Sequence, residues 1–186
     1  MIDLYTWHTP NGRKVSIMLE EIGMDYNVHS INIAKDEQFQ PHFLKVSPNN
    51  RIPAIVDKDN NNYSLFESGA ILMYLAEKSG KLINKSNSDE YYRTIEWLMW
   101  QMGGVGPMFG QVHHFVKYNK GKSAYAEERY SKEARRLYGV MDKRLGQHQY
   151  ISGNEYSIAD ISIWPWTARF DWQEIDLNEF PNVARW

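Results

Sequence analysis

Cysteine is absent from all 186 residues of the sequence. This absence excludes disulfide scaffolds, thiolate metal sites and every mechanism in which the protein's own thiol is the nucleophile. Any sulfur chemistry would therefore have to be supplied by a bound molecule.

Long hydrophobic runs and a marked charge imbalance are also missing. The longest apolar stretches, such as Ala70–Ala76, are far shorter than the ~20 residues that a membrane span requires. The 21 Lys+Arg against 23 Asp+Glu leave a formal net charge of −2, without the basic excess typical of nucleic-acid binding. The first residues, Met1–Tyr5, do not resemble a secretory signal. We therefore expect a soluble cytoplasmic protein with no membrane or nucleic-acid partner.

Aromatic residues, by contrast, are abundant, with 7 Trp and 12 Tyr. Such a composition suits helix-packed cores and aromatic-lined clefts. Four tryptophans of the second half could serve either purpose, and their helical spacing favours the core. They are Trp97, Trp100, Trp164 and Trp166.

Residues 1–80 alternate strand-like and helix-like patterns. The predicted strands are 2–7, 26–33, Ala54–Asp57 and Tyr63–Phe66. One helix is predicted after an Asn11-Gly12 turn, with an apolar stripe through Val15 and Met18, ending at about Gly23. Another is predicted from Ser68 to the residue before Gly80, which suits the left-handed position after a helix. The order predicts an α/β module of the form βαβ…ββα.

Residues 81–90 read as a polar linker, and residues 91–186 show helical patterns without strand signals. The helix Tyr92–Met102 should kink or stop at the glycines and proline of the following segment 103–107. A longer helix is predicted over Ser123–Leu145. Ser157 and Asp160 form a capping box that opens a buried helix over Ile158–Arg169, and we assign it a structural role. The sequence thus predicts two domains, the second all-α.

Four short features of the first module could carry chemistry. Thr9-Pro10-Asn11-Gly12 places a hydroxyl and an amide at a helix N-terminus, where an anion is stabilised. An ordinary capping turn explains the same residues. Arg51-Ile52-Pro53 precedes a strand, and a cis bond there would leave the backbone of Ile52 facing outward for strand addition by a peptide. A trans proline at the start of an edge strand is the alternative.

Glu67 and Ser68 stand where the second hairpin strand passes into a helix. Ser68 as N-cap would expose N–H groups suited to a carboxylate, and Glu67 would suit an ammonium, so the pair could hold one α-amino-acid head group. A plain capping serine is the alternative. Gln38, in a polar connection, could donate to a second carboxylate or be an ordinary loop residue.

The adjacent His113 and His114 invite a metal hypothesis that helix geometry disfavours. Neighbouring helical positions diverge by about 100°, so both rings cannot easily hold one ion. The i, i+4 spacing of a zinc helix is absent, as are a phosphate loop, a dinucleotide fingerprint and a Gly-x-Ser-x-Gly motif. We therefore expect no metal.

The order of these elements, with Ile-Pro before the third strand and Glu-Ser opening a helix, resembles the glutathione transferases along essentially the whole chain. Four segments are similar to the bacterial nu-class enzymes, which are glutathione-dependent disulfide-bond oxidoreductases. They are Thr9–Gly12, Ser47–Asp57, Leu65–Leu72 and Gly103–Met108. The resemblance implies a thioredoxin-like N-terminal domain, an all-α C-terminal domain, a cis bond at Pro53 and a homodimer. It also implies a further helix after Trp186, which this sequence does not contain.

Roles for individual residues follow from the same resemblance. It implies that glutathione is the cosubstrate and that Thr9 and Asn11 lie beside its sulfur. Six further residues would hold the tripeptide, and Arg129 of the second domain would reach a ligand carboxylate. The six are Gln38, Arg51, Ile52 and Pro53, with Glu67 and Ser68 at the γ-glutamyl head.

A thiol with a pKa near its usual value of about 8.5 is only slightly ionised at neutral pH. Lowering that pKa by ~2 units takes about 2.7 kcal/mol, which two hydrogen bonds and a helix N-terminus can supply. The expected activity is disulfide reduction by glutathione thiolate, with peroxidase activity as a possible accompaniment. Conjugation of glutathione to electrophiles and a non-catalytic scaffold are the alternatives.

Overall fold

The computed structural model describes residues 1–186 and divides into two compact units, residues 1–83 and 84–186. The first unit contains a four-stranded sheet and three helices, joined in part by short 3₁₀ turns. Its elements are β1 (Ile2–Thr6), α1 (Pro10–Ile22), β2 (Tyr26–Ser30), α2 (Pro41–Leu44), β3 (Ala54–Asp57), β4 (Tyr63–Phe66) and α3 (Ser68–Ser79).

The sheet has the strand order β2-β1-β3-β4. β1 and β2 are parallel, whereas β3 pairs antiparallel with both β1 and β4. The central strands supply buried residues such as Leu4 and Ile55, and α1 packs against α3. The predicted α/β module is confirmed, and the hairpin strands β3 and β4 have the predicted bounds.

Helix α1 begins one turn earlier than the sequence pattern indicated. Pro10 occupies its first position, where a missing N–H costs nothing, and Thr9 is the N-cap. Asn11 and Gly12 are therefore helical residues, and the prediction that they form a separate turn is wrong. The helix ends at Gly23, which has a φ of 70° and so takes the left-handed conformation that glycine tolerates best.

Two further differences lie between β2 and β3. β2 ends at Ser30 instead of continuing to Ile33, because the Asn32 side chain accepts a hydrogen bond from the Ala34 amide at 3.0 Å and starts a 3₁₀ turn. The short helix α2 was not predicted, since four residues are too few to show a helical period.

The second unit is helical and contains no strand. Its elements are α4 (Ser88–Trp100), a π-helical segment (Gln101–Val105), α5 (Gly106–Val112), a second π-helical segment (His113–Tyr118), α6 (Ala124–Leu145), α7 (Ile158–Thr167) and α8 (Pro181–Arg185). The all-α prediction is confirmed, and α6 follows Ser123 as its N-cap. No helix of the structure is both long enough and apolar enough to cross a membrane.

The glycine-rich segment after α4 does not stop the helix, so one of the two predicted outcomes, a stop, is wrong. The chain stays helical through residues 101–105 by widening to a π-helical turn, in which the Gly106 amide donates to the Gln101 carbonyl. Pro107 has no N–H with which to continue the ordinary α-helical pattern. A wider turn accommodates that missing donor without breaking the helix.

The core of the second unit is aromatic. Phe109 stacks on Tyr138 with ring centroids 5.1 Å apart, and Trp97, Trp100 and Trp166 belong to or pack against the same buried cluster. Trp164 differs, because it is 45% exposed. Three of the four tryptophans thus contribute to the core, as their spacing predicted.

Candidate active site

The strand register gathers the chemically distinctive segments of the first unit at one edge of the sheet. Tyr5 pairs with Ala54, and Ala54 pairs with Phe66, so the end of β1, the start of β3 and the end of β4 form one row. The segment Thr9–Gly12 follows β1, residues 51–53 precede β3, and Glu67 follows β4. Since paired strands lie about 4.8 Å apart, these segments are brought close together.

Thr9 has a geometry that leaves its hydroxyl proton available. Its Oγ1 accepts a hydrogen bond from the Gly12 amide at 3.2 Å, which uses one lone pair of the hydroxyl and caps α1. A hydroxyl has one donor and two acceptor positions, so the proton is still able to donate to an anion. Asn11 is half-buried on the same first turn of α1, and its side-chain amide is a second donor group there.

Gly12 allows this turn to lie directly against the end of β1. A Cβ atom at Gly12 would be 2.2 Å from the Trp7 carbonyl oxygen and 2.5 Å from Thr6 Oγ1. No other residue fits without displacing the backbone. The glycine therefore fixes the position of the first turn of α1, and with it Thr9 and Asn11, against the sheet.

The Ile52–Pro53 peptide bond is cis, as the resemblance implied. The paired residues of β3 begin at Ala54, so Ile52 lies outside the ladder and is half-buried, whereas Pro53 is buried. Arg51 is exposed, and its carbonyl oxygen accepts a hydrogen bond from the Ser47 hydroxyl at 2.8 Å. The backbone of Ile52 is in the place that an added strand would need.

Glu67, not Ser68, is the N-cap of α3, which corrects the sequence interpretation. The exposed Glu67 has a φ of 71°, which costs free energy for a residue other than glycine and is a feature that clusters at functional sites. Its side chain makes no capping hydrogen bond. The first N–H groups of a helix have no intrahelical acceptor, so this end of α3 suits an anion.

Ser68 is the first helical residue of α3 and is only 4% exposed. Its Oγ lies 3.2 Å from Nζ of Lys14, a lysine of α1 that is 1% exposed. Burial lowers the pKa of Lys14 to about 7, and the negative charge of Glu67 opposes that shift. Helices α1 and α3, which both begin at this edge of the sheet, are therefore joined by a buried ammonium–hydroxyl contact.

Sequence reasoning missed Lys14, although a signal for it was present. Lys14, Met18 and Ile22 are spaced by four, so the lysine continues the apolar stripe of α1. A lysine on the buried face of a helix needs a polar partner inside the protein. That requirement pointed to a polar residue on a neighbouring element, but the pattern alone did not identify Ser68.

Gln38 lies in a 3₁₀ turn of the connection that leaves β2. Ser30, the last residue of β2, pairs with Thr6, so this connection starts from the same edge of the sheet. The Gln38 Nε2 atom is 3.4 Å from an Asp36 carboxylate oxygen, and its Oε1 atom is buried without a hydrogen-bond partner. A ligand N–H would satisfy that oxygen.

Arg129 belongs to the second unit, where it is exposed on α6. It lines a cavity of about 640 Å³ together with Met108, Tyr125 and Lys132. Glu128, Tyr130, Glu133 and Arg136 complete the lining, so the cavity walls carry charges of both signs beside two tyrosines and one methionine.

His113 is a core residue of the second unit. Its ring lies 5.6 Å from that of Trp166 and 5.4 Å from that of Trp172, and its Nε2 is 3.1 Å from Nε2 of Gln173. Burial lowers the pKa of His113 to about 4, with the positive charge of Arg169 contributing. His113 is therefore neutral at physiological pH. No cluster of three or more His, Asp or Glu residues that could hold a metal ion is present.

The observed architecture defines a class of proteins, namely a thioredoxin-like domain followed by a helical domain. Comparison with family models agrees with that class. The glutathione S-transferase N-terminal domain matches residues 1–77, and the glutathione S-transferase C-terminal domain matches residues 124–186. The chain belongs to the glutathione S-transferase family.

Two curated relatives from Escherichia coli share the full length of this chain. The disulfide-bond oxidoreductase YfcG is 48% identical over 190 residues, covering 100% of this chain and 88% of that protein. The disulfide-bond oxidoreductase YghU is 40% identical over 199 residues, covering 100% of this chain and 69% of that protein.

Similar crystal structures contain glutathione. A glutathione transferase family member from Pseudomonas fluorescens, with two glutathione molecules bound, is 48% identical and superposes with a TM-score of 0.93 over 99% of this chain and 85% of that chain. A glutathione transferase from Pseudomonas putida, with one glutathione disulfide bound per subunit, is 45% identical with a TM-score of 0.91 over 99% of this chain and 84% of that chain.

Proposed function

We propose that this chain is a glutathione-dependent disulfide-bond reductase that activates the thiol of bound glutathione. The observation that carries the proposal is the first turn of α1, where Thr9 caps the helix through its lone pair and keeps its proton for an anion. The absence of cysteine requires the sulfur nucleophile to come from the ligand. The names of the two Escherichia coli relatives support the same chemistry.

Glutathione would lie along the sheet edge with each of its parts at a different segment. Its cysteinyl backbone would pair with Ile52, next to Arg51 and Pro53, as an added strand does. Its γ-glutamyl ammonium would face Glu67, and its γ-glutamyl carboxylate would face Ser68 and the start of α3. Gln38, with its unsatisfied buried oxygen, would accept a ligand N–H. Arg129 would reach a ligand carboxylate.

Ionisation of the bound thiol is the step that this arrangement favours. The Thr9 hydroxyl, the Asn11 amide and the positive end of the α1 dipole would stabilise the thiolate more than the thiol. Such preferential stabilisation lowers the thiol pKa toward neutral pH. The proton leaves to solvent, and the thiolate becomes the attacking group.

Two exchange steps would complete the reaction. The thiolate attacks one sulfur of the substrate disulfide, so that one S–S bond forms, another breaks, and the first substrate sulfur leaves as a thiolate. A second glutathione thiolate then attacks the glutathione sulfur of the mixed disulfide. Glutathione disulfide forms, and the second substrate sulfur is released. Two glutathione molecules are oxidised for each disulfide that is reduced.

Homodimerisation and a cytoplasmic location are further parts of this proposal. The cytosolic glutathione pool is reducing, which supplies the thiol that the reaction consumes. Small disulfides are the proposed substrates. Peroxides and electrophiles could react with the same thiolate, so a disulfide and a chlorinated aromatic should be assayed side by side. Faster turnover of the aromatic compound would favour conjugation as the principal activity.

The substitution Asn11→Ala tests the assignment of the thiolate donors. We expect disulfide-reductase turnover to fall about tenfold or more, since one hydrogen bond to a developing charge is lost. The pKa of bound glutathione, followed by the ultraviolet absorbance of its thiolate, should rise. Asn154→Ala, at an exposed loop position of the second unit, is the matched control and should behave like the wild type. Wild-type turnover in Asn11→Ala would place the donors elsewhere.

A further inference from the structure

Asn11 and Gly12 form the one Asn-Gly pair of the chain. The fold requires the glycine, because a Cβ atom at Gly12 would lie 2.2 Å from the Trp7 carbonyl oxygen and 2.5 Å from Thr6 Oγ1. The proposed thiolate site requires the asparagine, because its side-chain amide is one of the two donors. The two requirements together place an Asn-Gly pair on the first turn of α1.

An Asn-Gly pair has a chemical reactivity of its own. The backbone nitrogen of the glycine can lose its proton and attack the side-chain carbonyl carbon of the asparagine, so that a C–N bond forms and ammonia leaves. Water then opens the cyclic imide and gives aspartate or isoaspartate. Glycine has no Cβ to hinder the attack, so asparagine reacts more readily before glycine than before a larger residue. Water is the one further reactant.

The first turn of α1 opposes this reaction in two ways. The Gly12 N–H, whose nitrogen would have to attack, donates to Thr9 Oγ1 at 3.2 Å. The Arg13 amide donates to the Thr9 carbonyl at 3.0 Å, so Asn11 is enclosed in a hydrogen-bonded helical turn. Closure of the planar imide ring brings the Gly12 nitrogen close to eclipsing Cβ of Asn11, at a ψ far from the helical value of about −42°. The reaction therefore requires this turn to open.

We propose that Asn11 is a site of spontaneous deamidation and that the Thr9 cap protects it. The Thr9 lone pair holds the first turn closed, while its hydroxyl proton is kept for the ligand. The consequence for activity rests on the proposed function, since deamidation would replace a thiolate donor at position 11 with a carboxylate. A negative charge there would raise the pKa of the bound thiol and lower turnover.

The rate of deamidation is the direct test, and its measurement needs no activity assay. Tryptic cleavage after Arg13 releases residues 1–13, in which Asn11 is the one side-chain amide. Mass spectrometry follows the exchange of NH₂ for OH in this peptide after the intact protein has been incubated at mildly alkaline pH. A synthetic peptide of the same residues gives the unprotected rate. We expect deamidation in the folded protein to be at least about tenfold slower, because only the open turn reacts.

A matched pair of substitutions isolates the cap. Thr9→Val keeps the shape of the side chain but removes the acceptor, so deamidation should be about fivefold faster than in the wild type, as expected for the loss of an N-cap. Thr9→Ser keeps the acceptor and should react at the wild-type rate. Thr9→Ala is a second variant without an acceptor, for use if Thr9→Val does not fold. Ser157→Ala removes an N-cap from the second unit, controls for general destabilisation and should leave the rate at Asn11 unchanged.

Two results would contradict the proposal. Equal deamidation rates in the folded protein and in the synthetic peptide would show that the first turn of α1 gives no protection. Equal rates in Thr9→Ser and the variant without an acceptor would show that the Thr9 cap is not the protecting group.

Ligand binding separates this inference from the proposed function. If the glutathione sulfur lies against the first turn of α1, a bound ligand keeps that turn closed. S-methylglutathione at about ten times its dissociation constant should then slow deamidation about tenfold. If S-methylglutathione binds but leaves the rate unchanged, the proposed position of the sulfur is wrong, whereas the protection of Asn11 by Thr9 stands.

A mimic of the product tests the consequence for activity. Asn11→Asp reproduces one product of deamidation and should lower disulfide-reductase turnover about tenfold or more, because a donor to the thiolate is replaced by a like charge. Wild-type turnover in Asn11→Asp would refute the inactivation that we assign to deamidation.

Discussion

The starts of α3 and α7 show two opposite ways to build a helix N-terminus. At α7, Ser157 and Asp160 form a complete capping box, and the Asp160 carboxylate also accepts hydrogen bonds from the Ile151 amide at 3.0 Å and Trp186 Nε1 at 2.8 Å. At α3, Glu67 has a positive φ and makes no side-chain cap.

The difference separates a helix end that is capped by side chains from one whose N-cap residue makes no side-chain hydrogen bond. Every oxygen of Asp160 is used inside the second unit, so this end contributes to stability. The start of α3 carries backbone strain and has a buried hydroxyl and ammonium behind it. Native structures retain such strain where it serves a function. A polar residue before a helix is thus part of a complete capping box in one unit, and in the other it lies at the proposed binding site for glutathione.

The largest expected effect comes from removing the carboxylate of α7. Asp160→Ala would leave the Ile151 and Ser157 amides and the Trp186 indole without their acceptor in a buried region. Each such loss costs about 1–3 kcal/mol, so we expect the free energy of unfolding to fall by about 3 kcal/mol or more. Denaturant unfolding measures it, and Asp160→Asn, which keeps one acceptor oxygen, should lose less. If the free energy of unfolding fell by less than about 1 kcal/mol, the stabilising role assigned to the start of α7 would be wrong.

A matched pair of serine substitutions tests the division of roles. Ser157→Ala should lower the free energy of unfolding by about 1 kcal/mol and leave glutathione affinity unchanged. Ser68→Ala should weaken glutathione binding about tenfold, with a smaller effect on unfolding, because a hydrogen bond to a charged ligand group is lost. Calorimetric titration and denaturant unfolding of both variants are needed. If both substitutions changed only the free energy of unfolding, or both changed only the glutathione affinity, the starts of α3 and α7 would have the same role.

The smallest effect is a pH dependence of stability that arises from Lys14. Its pKa is about 7 in the folded protein, against an ordinary value of 10.5, so above pH 7 the unfolded chain binds more protons than the folded one. Stability therefore rises with pH in this window. Between pH 7 and pH 8 the wild type should gain about 1 kcal/mol relative to Lys14→Met, which lacks the titrating group. Unfolding of both proteins at the two pH values measures the difference, and a constant difference would contradict the assigned burial.

Sequence patterns predicted the elements that depend on local rules. Ala54–Asp57 and Tyr63–Phe66 have their predicted bounds, since a polar turn and short β-prone runs define a hairpin locally. The capping box of α7 follows from two residues three positions apart. The π-helical turn at 101–105 could not be predicted in this way, because a proline and glycines usually end a helix.

The candidate site could be predicted only as separate pieces. Thr9, Ile52 and Glu67 each have an ordinary explanation when taken alone, and it is the register of β1, β3 and β4 that places their segments at one edge. The family resemblance supplied the connection before the structure did. The positive φ of Glu67 and the contact between Lys14 and Ser68 had no recognisable pattern.

The sequence by itself determined that the protein has no thiol of its own, where the hairpin and the long helix α6 lie, and that a capping box opens α7, because these depend on composition and on contacts between near neighbours in the chain. Only the tertiary structure decided that α3 begins without a side-chain cap from Glu67, that Lys14 is buried next to this helix start and which segments meet at the sheet edge. Those properties depend on strand pairing and burial between residues far apart in the chain, such as Lys14 and Ser68, and no short-range pattern encodes them.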